Sequence, residues 1–150
     1  MIKRLFFDTS VLIPAFAEAH PNHKQCFSFL EKISNQKIEV VTSAHALLEF
    51  YSVFSKLPLK TRISPLEIKE IIEKNIYPNF KVIALEEKDY KEIILQITSL
   101  GLSGGIVYDL FHVVAARKVK SNAIITYNEK DFQKINFAKI PIFLPQDFKN

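Results

Sequence analysis

The sequence predicts an α/β fold, a five-stranded, mainly parallel sheet with helices on both faces. Three observations carry this. Five short apolar runs mostly lack polar alternation, as strands covered on both sides do. Helical patterns lie between them, and strands alternating with helices build a parallel sheet through right-handed crossovers. The chain has 150 residues, 48% of them hydrophobic, and shows no repeat, low-complexity tract or linker, so we expect one domain over residues 1–150.

The first run, Arg4 to Phe7, ends at Asp8, and a helix follows from near Ser10. This beginning imitates a secretory signal, with a basic start, an apolar stretch and small residues at Ala15 and Ala17. Asp8 interrupts the stretch where a signal would hold only apolar residues. The segment therefore reads as the first strand and helix of a cytoplasmic protein. The second strand, Ile38 to Thr42, leads into a helix capped by Thr42 or Ser43, and Leu47, Leu48, Phe50 and Tyr51 make that helix apolar nearly all round. The next helix, Arg62 to Tyr77, contains Ser64-Pro65-Leu66-Glu67, a capping box with proline at the first helical position, followed by the stripe Ile68, Ile71, Ile72. After a strand from Lys81 to Leu85, one helix face collects Tyr90, Ile93, Ile94, Ile97 and Leu100 and stops at Gly101. All three glycines fall in the loop "LGLSGG", the segment expected to be most flexible, just before the helix of Asp109. Strands from Ala123 to Tyr127 and from Ile140 to Leu144 complete the set, and Pro141 suits an edge strand.

The formal net charge is +4, with a pI near 9.1. The surplus is almost all lysine, which suits a polyanionic partner and equally suits plain solubility. A lone cysteine, Cys26, excludes an intrachain disulfide and fits a reducing compartment. No segment approaches the roughly 18 uncharged apolar residues of a membrane span. Neither G-x-G-x-x-G nor G-x-x-x-x-G-K occurs, which disfavours dinucleotide and nucleoside-triphosphate binding. A haloacid dehalogenase-type phosphatase would need a second Asp where Ser10 stands, and a response-regulator receiver an acid where Phe7 stands.

In such a sheet ligands bind at the edge where the strands end and the following helices begin. Asp8 ends the first strand there, Glu49 lies in the first two turns of its helix, and Asp109 opens the helix after the glycine loop. Asn128 and Asp131 follow the Ala123 strand to the same edge. Asp8 and Asp109 could instead serve as helix-terminal residues. Glu49 sits on an apolar helix in a chain with only three arginines, Arg4, Arg62 and Arg117, to pair with it. Oxygen ligands from Asp and Glu suit a hard ion such as Mg²⁺ or Mn²⁺, which can activate water and clamp a phosphate. Without metal the three acids should repel, so Asp8→Asn is expected to leave the metal-free protein at least as stable as the wild type. His112, one turn past Asp109, reads as a packed core histidine in preference to a carboxylate orienter or proton shuttle. His20, His23 and Cys26 stand three residues apart, a spacing of interest to zinc, but a fourth ligand is missing.

The segments "FFDTSVLI", "LLEFYSVF", "YDLFHVVAA" and "ITYNEKDF", in this order, resemble the PIN domain, especially the VapC-type toxins of toxin/antitoxin pairs. The resemblance implies a Rossmann-like sheet with the first strand central and a Mg²⁺- or Mn²⁺-dependent endoribonuclease. It carries the catalytic and metal-binding roles to Asp8, Glu49, Asp109 and Asp131, the supporting hydroxyls to Ser10 and Thr126, and the last amide to Asn128. It also implies an RNA substrate, a homodimer and a cognate antitoxin protein. The alternative is a PIN fold used as a non-catalytic RNA-binding or assembly module.

Overall fold

The computed structural model describes residues 3–149. Its strands are β1 (Lys3–Phe7), β2 (Ile38–Ser43), β3 (Lys81–Ile83), β4 (Ala123–Ile125) and β5 (Ile142–Phe143). They form one sheet in the order β3-β2-β1-β4-β5, and every pairing is parallel. β1 is thus central, with Leu5 opposite Val40 on one side and Ala123 on the other. The helices are α1 (Thr9–Phe16), α2 (His23–Ser34), α3 (Ala44–Phe54), α4 (Pro65–Ile71), α5 (Glu87–Ser99), α6 (Ile106–Lys118) and α7 (Glu129–Ile135).

Strand alternation decides which helices cover which face. Leu5 and Phe7 enter a core with Val11, Leu12, Phe29, Phe50, Phe54 and Ile68, contributed by α1 to α4. Phe6 points the other way, into Val41, Ile93, Leu110, Val113, Val114 and Phe132, supplied by β2 and α5 to α7. Phe50 and Phe54 stack with centroids 4.1 Å apart and anchor the first core from the inner side of α3, whereas Leu48, Tyr51 and Val53, on the rest of this helix that the sequence makes apolar nearly all round, are exposed.

The strands expected to run to Leu85, Tyr127 and Leu144 end earlier. β3 and β4 give way to the loops that lead into α5 and α7, and β5 is the last element; Pro141 precedes this edge strand while its carbonyl accepts from Ile124 N at 2.8 Å. The helix expected from Arg62 begins at Pro65. Ser64 N donates to Glu67 Oε2 at 2.6 Å and Glu67 N to Ser64 Oγ at 3.2 Å, so the capping box sets the start, and the helix runs on as a π-helical turn over Ile72–Ile76. The apolar face on α5 is narrower than the sequence suggests. Ile93 and Ile97 are buried, but Tyr90, Ile94 and Leu100 are exposed, because α5 packs chiefly against one neighbour, α6, which covers a single ridge. Gly101, with φ +66°, turns the chain out of α5 in the left-handed conformation that glycine accepts without strain. No helix among the described residues is long and apolar enough to cross a membrane.

Candidate active site

The ends of β1 and β4 and the N-terminal turns of α3 and α6 meet at one edge of the sheet. They frame an open cleft of about 700 Å³ lined by His45, Glu49, Tyr108, Asp109, Asn128 and Asp131. Asp8 lies behind this lining, only 3% exposed. Ser43, rather than Thr42, caps α3, accepting from Ala46 N at 3.0 Å. The Thr42 hydroxyl instead donates to the Phe7 carbonyl at 3.0 Å, joining β2 to β1.

Asp8 is the best satisfied of the acids. Its Oδ1 accepts from Thr9 N at 2.8 Å, and its Oδ2 accepts from Ser10 Oγ at 2.7 Å and Thr126 Oγ1 at 2.8 Å. The helix-cap role is therefore real, and it coexists with proximity to the other acids. Ser10 and Thr126 also reach each other at 3.2 Å, and they accept from Tyr127 N and Asn128 N at 3.0 and 2.9 Å. The two hydroxyl positions thus act on Asp8 directly.

Glu49 Oε2 accepts from Thr9 Oγ1 at 2.9 Å. Its Oε1 is closed off from solvent without a well-aligned hydrogen bond, although His45 Nε2 lies 2.9 Å away and His112 Nε2 3.7 Å. Burial pushes the Glu49 carboxyl up, but His112, Thr9 and His45 together outweigh it and hold the group below its ordinary value. Asp109, in the first turn of α6, has among the described residues one hydrogen-bonding partner for its side chain, Asn128 Nδ2 at 3.5 Å, and does not cap its helix. Burial, joined by the charges of Asp8, Asp131 and Glu49 against the opposing pull of His112, raises its carboxyl to about 6. Asp131 is half-buried on the rim and pairs with Lys134 at 3.6 Å.

His112 is packed in the core, as expected, with 1% exposure, yet it also faces the acids. Its Nε2 stands 3.6 Å from Asp8 Oδ1, and its Nδ1 is 3.5 Å from Ser43 Oγ. Burial would lower its pKa, but Glu49, Asp8 and Asp109 outweigh that and raise it. His45 and Thr9 both contact Glu49 and are not among the site residues expected from the sequence. The four-residue spacing of His45 and Glu49 on α3 was the available signal for the first.

The donor set is oxygen-rich and short of positive charge beside Asp109, which fits a hard divalent ion. As the side chains stand, Glu49 leans on His45 and Asp109 on Asn128, and among the described residues no three Asp, Glu, His or Cys side chains form a ready coordination cluster. The zinc spacing of His20, His23 and Cys26 forms none either. His20 Nδ1 accepts from Asn22 N, His23 Nδ1 meets the Pro14 carbonyl at 2.8 Å, and Cys26 is buried.

The PIN domain family model matches residues 5–138. The chain belongs to the PIN domain family. Among similar proteins, Ribonuclease VapC40 of Mycobacterium tuberculosis is 30% identical over 102 residues, covering 68% of this chain and 70% of that one. Ribonuclease VapC27 of the same organism is 26% identical over 112 residues, 75% and 76% of the two chains. The FitAcB structure from Neisseria gonorrhoeae superposes with a TM-score of 0.68 at 18% identity, covering 96% of this chain and 99% of that one. Mycobacterium tuberculosis VapC20, described as a sarcin-ricin loop cleaving toxin, gives 0.66 at 12% identity, with 86% and 93% covered. These two structures share the fold of this chain.

Proposed function

We propose that residues 1–150 work as a single PIN domain that hydrolyses RNA phosphodiesters with Mg²⁺ or Mn²⁺, as the toxin of a toxin/antitoxin pair. The observation that carries this reading is Asp109. With Glu49 and Asp131 it lines an open cleft, Asp8 lies just behind, and this crowding of carboxylates is what a divalent cation would neutralise. The names of the VapC ribonucleases support the choice of RNA.

In this reading Asp8, Glu49 and Asp109 hold the metal, with Asp131 contributing from the rim. A bound ion would neutralise these carboxylates, lower the pKa of a water and polarise a phosphodiester. Ser10 and Thr126 fix the orientation of Asp8, Asn128 orients Asp109, and His112 limits repulsion in the metal-free protein. The partners are an RNA substrate, a cognate antitoxin and a second copy of the chain, in the cytoplasm.

The test is cleavage of single-stranded or looped RNA by the purified protein. Cleavage should require Mg²⁺ or Mn²⁺ and leave 5′-phosphate and 3′-hydroxyl ends. Activity that survives exhaustive chelation, or 2′,3′-cyclic phosphate ends, would move the chemistry to a histidine such as His112 and overturn the metal assignment.

A further inference from the structure

Tyr108 does something that core packing does not require. It immediately precedes Asp109 on α6, is 54% exposed and lines the cleft. Its ring lies nearly parallel to that of His45 on α3, with an interplanar angle of 5° and centroids 5.4 Å apart. His45 is fixed from two other directions. Its Nε2 is 2.9 Å from Glu49 Oε1, and its ring leans on the buried Phe111 at 5.3 Å. The pair is therefore a preorganised, offset-parallel aromatic stack, spanning α3 and α6 at a cleft that Glu49, Asp109 and Asp131 also line.

We propose that the Tyr108–His45 stack is a platform for an unpaired nucleobase, seating the nucleotide next to the scissile phosphate. The inference rests on the ribonuclease reading above and adds a binding subsite to it. A polyanion approaching carboxylates gains little from charge there, whereas a base has a π-face that stacks whatever its sequence. Because paired bases in a duplex are not free to stack on a protein ring, the platform selects single strands, loops or bulges. Tyr108 contacts the substrate in this assignment, while His45 positions Tyr108.

The test uses the full chain and short single-stranded RNAs, with Ca²⁺ in place of Mg²⁺ or Mn²⁺ and the strand checked to be intact. Each RNA carries one 5-iodouridine, moved along the strand, for photocrosslinking, and a matched set carries one abasic residue. We expect one position to crosslink to the peptide containing Tyr108. Tyr108→Leu should weaken binding on the order of five- to 100-fold, and Tyr108→Phe should restore it to near the wild-type value. The abasic residue at that one position should weaken wild-type binding similarly, and should add little further loss with Tyr108→Leu. This arm leaves the protein unaltered, so a folding defect cannot imitate it.

Cleavage by the wild type with Mn²⁺ separates the two readings. If RNA is cut, yet neither Tyr108→Leu nor any abasic probe changes binding, the platform is overturned and the nuclease stands. The ring would then serve packing or a protein partner. If the wild type neither cuts nor binds RNA, both readings fall.

Discussion

Asp8 and Asp109 are the same residue type at the same edge of the sheet, and the fold surrounds them in opposite ways. Asp8 is buried and takes hydrogen bonds from a helix N-terminus and two hydroxyls, all between 2.7 and 2.8 Å. Asp109 faces the cleft with the Asn128 amide at 3.5 Å, and burial together with three nearby acids raises it to about 6. A carboxylate whose hydrogen bonds come from the scaffold is part of that scaffold, even when it also holds a ligand. One left short of partners beside like charges is stabilised only by what arrives from outside.

The sharpest way to break this contrast is catalytic. Asp109→Asn should lower metal-dependent RNA cleavage on the order of 100-fold or more, since it removes a preorganised charge from the reacting centre. Near-wild-type turnover, measured in Mn²⁺ on a cleavable RNA, would deprive Asp109 of its assigned role.

The next effect is on stability. Asp8→Ala should cost about 2–4 kcal/mol in urea unfolding with chelator, because it strands the Thr9 amide and the Ser10 and Thr126 hydroxyls in a buried site. The same hydroxyls revise the expectation that Asp8→Asn leaves the metal-free protein at least as stable as the wild type. An amide keeps one acceptor oxygen where the carboxylate uses both, so a loss of about 1–2 kcal/mol is expected. Equal stability of the wild type and Asp8→Asn in chelator would restore the simple repulsion picture.

Asp109→Asn should do the reverse, stabilising the metal-free protein by on the order of 1 kcal/mol near neutral pH after allowance for solvent screening. The sign follows from a folded value of about 6 against an ordinary 3.8. Between these values the native state binds more protons than the unfolded chain, so wild-type stability falls as pH rises through the window. The advantage of the variant should therefore be complete above about pH 6, vanish below about pH 4, and reverse when Mn²⁺ is added. Thermal melts across that range check it. The smallest effect belongs to Asp131→Asn. Its exposed pairing with Lys134 predicts a stability change within about 0.5 kcal/mol and a loss of cleavage smaller than that from Asp109→Asn.

The acids and the order of elements were legible in the sequence because both follow from local pattern. A charged residue inside an apolar run stands out, and the period of the run tells strand from helix. Ser64 and Glu67 fixed a helix start for the same reason. The stack of Tyr108 on His45 was not legible. It depends on how α3 and α6 sit across the cleft, a tertiary relation between residues 63 positions apart that no local period encodes. The half-covered face of α5 was misread for a related cause, since periodicity reports which residues share a face but not how much of it a neighbour will cover. His112 was half legible. Its burial follows from the apolar helix around it, whereas its approach to Asp8 depends on the end of a different element.

The hydroxyls of Ser10 and Thr126 have a mechanical consequence. By joining the start of α1 to the end of β4 through Asp8 Oδ2, and by taking the amides of Tyr127 and Asn128, they lock the floor of the cleft into the sheet. That wall is stiff. The other side of the cleft, carrying Asp109 and Tyr108 on α6 and Glu49 on α3, meets this floor through the Thr9 hydroxyl on Glu49 and the Asn128 amide near Asp109.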